Sequence, residues 1–317
     1  MTLSLERQGI TPSSNDPWLF LNAHPLDGHD HAGLVCEQGF RPLFLELEQS
    51  SARVAPSIDD EGRYAGTLIL THRSRDLNRA HLMHALARTS PGGLIVVAGE
   101  KTSGIASLKK WAAGFVPVVD TFSKFHAQAF VVRAGSEPDD PPTLAKDCEH
   151  LGLFGGGKID AGSQLLARTF DGSISGSVAD FCAGTGYLTR ELLERSNPTS
   201  IALFEAEYRG VEIARRDLDH RTIPLSFHWT DLTSEPVAKT FDWIIMNPPF
   251  HEGRAADPSL GQSMIRASAG ALQRGGKLRM VANRQLPYEN TLRDVFGAFN
   301  EIIAESGFKV LQATKRK

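Results

Sequence analysis

The stretch FDWIIMNPPF (241–250) ends an apolar run on an amide, two prolines and an aromatic ring, Asn247, Pro248, Pro249 and Phe250. The Asn247 side-chain oxygen and the Pro248 carbonyl would form two neighbouring acceptors, enough to bind both N–H groups of a planar exocyclic amine. Held that way, the nitrogen is drawn toward tetrahedral geometry and its lone pair is aimed at an electrophile. The prolines fix φ and keep the carbonyl rigid, and Phe250 offers a face on which a base can stack, worth roughly 1–3 kcal/mol. In-line positioning can supply about 7–11 kcal/mol of a barrier, so no strong general base is required. Asn-Pro also opens ordinary turns. The clamp reading therefore depends on what else the chain brings to the same place.

Three strand ends upstream carry acids. The stretch SVADFCAGTGYLTREL (177–192) reads as a strand ending at Asp180, a Gly-x-Gly turn at Gly184 and Gly186, and an amphipathic helix. Glycine lets the backbone approach a ligand, and the helix N-terminus adds favourable dipoles. The dinucleotide fingerprint fails, because Thr189 stands at its third glycine. The next strand ends in Glu205, able to accept both hydroxyls of a ribose, and a third ends in Asp231, suited to an adenine amino group. Acids at three consecutive strand ends would line the carboxyl edge of an open parallel sheet, where ligands bind.

Taken in order, Asp180, Gly184-x-Gly186, Glu205, Asp231 and Asn247-Pro248-Pro249-Phe250 resemble the motifs of class I S-adenosylmethionine-dependent methyltransferases. The resemblance implies an α/β fold, a Rossmann-like open sheet that is mostly parallel with a C-terminal antiparallel hairpin. It implies S-adenosylmethionine as cofactor, with contacts from Asp180, Ala183, Gly184, Gly186, Glu205, Asp231, Leu232 and Asn247. Cys182 and Ala183 depart from the glycine that such proteins usually carry before this turn. Further matches in HLGLFGGGKIDAGSQLLA (150–167), NPPFHEG (247–253), IRASAGALQRGGKLRMVANRQLPY (265–288) and IAESGFKVLQATK (303–315) are similar to the two-domain bacterial ribosomal RNA guanine-N2 methyltransferases. By that resemblance the substrate is a guanine amine in RNA, either ribosomal RNA or a ribosomal particle, with the base unstacked into the pocket. Catalysis would fall to Asn247, Pro248, Pro249 and Phe250, and substrate contacts to Phe250, His251 and Tyr288. A protein glutamine, a DNA adenine or a cofactor-binding pseudoenzyme are the alternatives.

Two halves of the chain echo each other. TLILTHRSRDLNRAHLMHALARTSPGGLIVVAGEK (67–101) and 242–285 both run strand, helix, Gly-Gly, strand, with Thr71-His72-Arg73-Ser74 where the second has Asn-Pro-Pro-Phe. A Pro- and Asp-rich break at 133–147 separates them. The expected organisation is therefore a degenerate, non-catalytic copy of the fold over 1–140 and a catalytic domain over 141–317. The 317 residues carry net charge −3, with 14 Lys and Arg against 18 Asp and Glu in 1–150. Any RNA must be held by local patches, not by bulk charge. No membrane segment or signal peptide is expected, and Cys36, Cys148 and Cys182 suit reduced thiols in a cytoplasm. No metal site is expected. The cluster His24, Asp27, His29, Asp30, His31 reads as a solvated loop, and GLFGGGKI (152–159) lacks the Ser or Thr of a phosphate loop.

Overall fold

A computed structural model describes the chain apart from residues 27, 29, 30, 51, 60, 61, 136–149, 154–157, 219–222, 250, 253, 254, 257 and 317. The chain divides into two compact units, Met1–Gly152 and Leu153–Lys317. The first holds α1 (Thr2–Gln8), β1 (Trp18–Leu21), β2 (Leu34–Glu37), α2 (Arg41–Gln49), β3 (Arg53–Ala55) and β4 (Tyr64–Leu70). It continues through α3 (Arg75–Arg88), β5 (Thr89–Glu100), α4 (Ile105–Ala112), β6 (Val118–Lys124) and β7 (Ala127–Arg133). The second holds α5 (Ala161–Ala167), β8 (Ser175–Phe181), α6 (Tyr187–Arg195), β9 (Asn197–Glu205), α7 (Tyr208–Leu218), β10 (Leu225–Trp229) and β11 (Phe241–Met246). Then come β12 (His251–Glu252), β13 (Ala255–Ala256), α8 (Pro258–Ala271), β14 (Leu272–Asn283), α9 (Tyr288–Phe296), β15 (Phe299–Glu305) and β16 (Phe308–Thr314).

Each unit builds a seven-stranded sheet of the same topology, β3-β2-β1-β4-β5-β7-β6 in the first and β10-β9-β8-β11-β14-β16-β15 in the second. Five strands are parallel; the last two run antiparallel as a hairpin. The central strands are continuous apolar runs, Val178-Ala179 and Ile244-Ile245-Met246 being fully buried, because helices cover both faces. Side chains alternate between the two faces of the second sheet. Phe181, Ile244 and Met246 pack under α8 and α9, while Val178, Trp243 and Ile245 pack under α5 and α6. Sequence and structure agree on the fold class.

Hydrogen-bond register makes the echo between the halves quantitative. Leu21 of β1 pairs with Ile69, and Phe181 of β8 with Met246. The next residues, Asn22 and Cys182, are both left-handed, at φ 51° and 61°. Gly92 and Gly275 share φ near 80° and donate to Ala134 and Lys315 at 2.7 and 3.0 Å. This register corrects the sequence alignment by one residue: Leu70, not Thr71, stands where Asn247 stands. Among the described residues, the β12–β13 pair has no counterpart after β4.

Candidate active site

The site is assembled where β8, β9, β10 and β11 end. After Phe181 the backbone swings through Cys182, Ala183 and Gly184 to Gly186, with Cys182, Gly184 and Gly186 at φ 61°, 55° and 82°. Ala183 N donates to Phe204 O at 3.1 Å, and Gly186 N closes the turn onto Ala183 O at 2.9 Å. The two glycines are needed for different reasons. A Cβ on Gly186 would fall 2.7 Å from Leu218 Cδ1 of α7, whereas a Cβ on Gly184 would meet nothing within 4 Å. Gly186 lets α6 and α7 come together; Gly184 keeps the crevice open.

Asp180 is fully buried just before this turn. Its Oδ2 accepts from Thr189 Oγ1 at 2.7 Å, while its Oδ1 is buried with no hydrogen-bond partner among the described residues. Burial, reinforced by the charge of Glu205 and opposed by the Thr189 hydrogen bond, pushes the Asp180 carboxyl up to about 7. Thr189, whose presence merely ruled out a dinucleotide turn in the sequence, proves to be the residue that orients this acid. The signal was its position, one helical turn inside α6 on the side facing β8. An unsatisfied buried acceptor costs about 1–3 kcal/mol, and this one calls for a donor or a cation.

Glu205 folds over the turn. Its Oε2 accepts from Gly184 N at 2.7 Å and its Oε1 from Glu207 N at 2.9 Å. Burial raises its carboxyl and these backbone N–H groups hold it down. Glu207 beside it is pushed up to about 7 by burial and then by the Glu205 charge. Each Glu205 oxygen keeps a second lone pair, so the ribose reading is compatible with these bonds. Asp231 is nearly buried two residues past β10, where it organises its own turn. Its Oδ1 accepts from Thr233 N and Oγ1 at 2.9 and 2.7 Å, and its Oδ2 from Ser234 Oγ at 2.6 Å. Ala183 and Leu232 are buried, Leu232 in the core beside Phe204.

β11 delivers Asn247 half-buried, with Pro248 buried behind it. Asn247 Nδ2 donates to Asp160 Oδ2 at 3.0 Å and to Ser163 Oγ at 2.7 Å. Asp160 is the N-cap of α5, its Oδ2 also accepting from Ser163 N at 3.0 Å. A carboxylate can only accept, so the NH2 side of the amide is committed to α5 and Oδ1 is left as the acceptor on the opposite side. Gly162 is part of the same device: a Cβ there would sit 2.9 Å from Asp160 Oδ2 and 3.0 Å from the Phe308 ring. Nothing in the sequence signals that Asp160 and Ser163 hold Asn247. A contact between residues 87 apart leaves no local periodicity.

Other expected site residues divide. Phe250 lies outside the described residues, and of His251 only its backbone in β12 is described. Tyr288, expected at the substrate mouth, lies in the core instead. It opens α9 fully buried against α8, where a Cβ on Gly261 would fall 2.0 Å from its hydroxyl oxygen. In the first unit His31 is buried, not solvated, and its Nε2 accepts from Leu26 N at 3.2 Å; Asp27, His29 and Asp30 are outside the described residues. Among the described residues no group of three His, Cys, Asp or Glu could hold a metal ion. Arg215 and Arg216 pair on the surface with Glu212 and Asp217. Sheet register places Phe20, Gln38, Ile58 and Leu70 of the first unit where the second has Asp180, Glu205, Asp231 and Asn247. Gln38 still accepts from the residue two positions on (Phe40 N, 2.8 Å) as Glu205 does, but no acid remains.

Residues 146–312 match the methyltransferase small domain family. A ribosomal RNA small subunit methyltransferase C of Photorhabdus laumondii is 31% identical over 245 residues, 74% of this chain and 72% of that protein. Its namesake in Shigella flexneri is 32% identical over 302 residues, covering 92% of this chain and 85% of that protein. Among solved structures, a 16S rRNA N2 methyltransferase of T. Thermophilus, in complex with AdoMet and guanosine, matches with TM-score 0.80 at 24% identity. The match covers 99% of this chain and 91% of that one. The chain belongs to the methyltransferase small domain family, with the ribosomal RNA small subunit methyltransferases C as its relatives.

Proposed function

We propose that this chain transfers a methyl group from S-adenosylmethionine to the exocyclic N2 amine of a guanine in ribosomal RNA, in the cytoplasm. Residues 141–317 carry the reaction and 1–140 form a non-catalytic domain. The observation that carries the reading is the Asn247 amide, fixed through its nitrogen by Asp160 and Ser163 so that only its oxygen can face an incoming amine. The relatives' names favour RNA over a glutamine or a DNA adenine as the acceptor.

The residues present fit the cofactor. The orphaned Asp180 Oδ1 and the open space over Gly184 are what a cationic, close-lying ligand would satisfy. Asp180, Ala183, Gly184, Gly186, Glu205, Asp231, Leu232 and Asn247 would hold it, and it supplies the electrophilic methyl group. The remaining work belongs to the chain. Asn247 Oδ1 and the Pro248 carbonyl take the two N–H groups of the amine, and Phe250 stacks on the base. Alkylation makes the nitrogen acidic, so its surplus proton leaves without a strong base.

Product identity tests the assignment. Purified protein with labelled cofactor and small-subunit ribosomal RNA should yield N2-methylguanosine on nucleoside digestion and mass analysis. Label in protein glutamine, or in methyladenine of DNA, with none in RNA would contradict it.

A further inference from the structure

The hairpin that closes each sheet turns through two residues at positive φ. In the second unit they are Ser306 and Gly307, at 52° and 83°; in the first they are Phe125 and His126, at 50° and 63°. Tight turns of this kind are ordinarily made by Asn-Gly or Asp-Gly, because most other side chains resist left-handed backbone. Phe125 and His126 resist it, and burial does not compensate: the Phe125 side chain is 78% exposed. Lys124 Nζ stands 4.8 Å from the Phe125 ring centroid, and the Lys101 backbone N donates to His126 O at 3.1 Å, tying the turn to the end of β5. Beside it on β6 lies a shallow depression of about 440 Å³ lined by Glu6, Arg7, Phe122, Ser123 and Lys124. There the Arg7 guanidinium sits 5.2 Å from the Phe122 centroid and pairs with Asp120 at 3.0 Å.

We propose that this tip is a contact site for single-stranded RNA, in which Phe125 stacks on an unpaired base and Lys124 faces its phosphates. The proposal rests on the reading of the chain as an RNA-modifying enzyme. Backbone strain kept at an exposed position points to a function for the side chain that it displays. An exposed aromatic ring beside a cation, here Lys124, is the platform that single strands use, whatever their sequence. A protein partner would need contiguous apolar area, and this depression offers one ring among charged and polar groups.

The test replaces the strained pair with the turn's preferred residues, Phe125→Asn combined with His126→Gly in the full chain. Melting temperature should rise while affinity for a labelled, unstructured RNA about 12 nucleotides long falls about tenfold. KM for ribosomal RNA should rise in step with kcat unchanged. Phe125→Trp should keep RNA affinity and Phe125→Leu should lose it, since stacking needs a π face. Unchanged RNA affinity in the double variant, or full affinity in the leucine variant, would overturn the site; the latter would indicate an apolar protein contact. Methylation of RNA by the unaltered chain, scored separately, decides the functional reading whatever the tip variants do.

Discussion

Asp180 shows how a single buried carboxyl ties stability to pH. Its pKa of about 7 in the folded chain lies above the roughly 3.9 of an unfolded aspartate, so the native state binds the extra proton between those values. Stability of the ligand-free protein therefore falls as pH rises from about 4 to about 7, by at most about 1.4 kcal/mol per unit from this group. Glu205 and Glu207 are raised as well and add to the same slope. Denaturant titrations of Asp180→Asn across that window should show a shallower decline than the parent. An equal or steeper decline would mean that Asp180 is ionised throughout. At this scale the sequence was legible for the acids, whose residue type announces them. It was silent on Thr189 and on the Asp160–Asn247 bond, which depend on side chains meeting across the fold.

Among the elements, the turn between β8 and α6 separates folding from binding within three residues. Gly186→Ala combines φ strain with a 2.7 Å approach to Leu218 Cδ1, and should lower stability by about 1–3 kcal/mol in a thermal or denaturant melt. Gly184→Ala meets open space, so its effect on folding should be the smaller, about 1 kcal/mol, while its methyl group intrudes on the crevice and weakens cofactor binding in calorimetry. The reverse ranking of the two melts would contradict the roles assigned. The strands and the Gly-x-Gly turn were readable from apolar runs and glycine spacing. The one-residue shift between Thr71 and Leu70 was not, because register is set by inter-strand hydrogen bonds that no single strand displays. Tyr288, named as a substrate contact by resemblance, is buried because Gly261 of α8 leaves room for its hydroxyl.

At the scale of the molecule, one topology is used twice, with different residues at the ends of corresponding strands. The apolar residues Phe20, Ile58 and Leu70 fill positions that are acid or amide in the second unit, and Phe20 and Ile58 are part of the first unit's core. The sequence showed the repeat through its Gly-Gly pairs and strand order, and the family match over 146–312 falls on the second copy. Among the described residues no helix is long and apolar enough to cross a membrane.

Everything assigned to the second unit turns on the Asn247 oxygen as an acceptor for the reacting amine. Single-turnover methyl transfer to ribosomal RNA by Asn247→Ala, with cofactor affinity measured alongside, tests this most directly. At saturating cofactor the rate should fall on the order of 10²–10³-fold. A variant that methylates guanine at the parental rate would contradict the account.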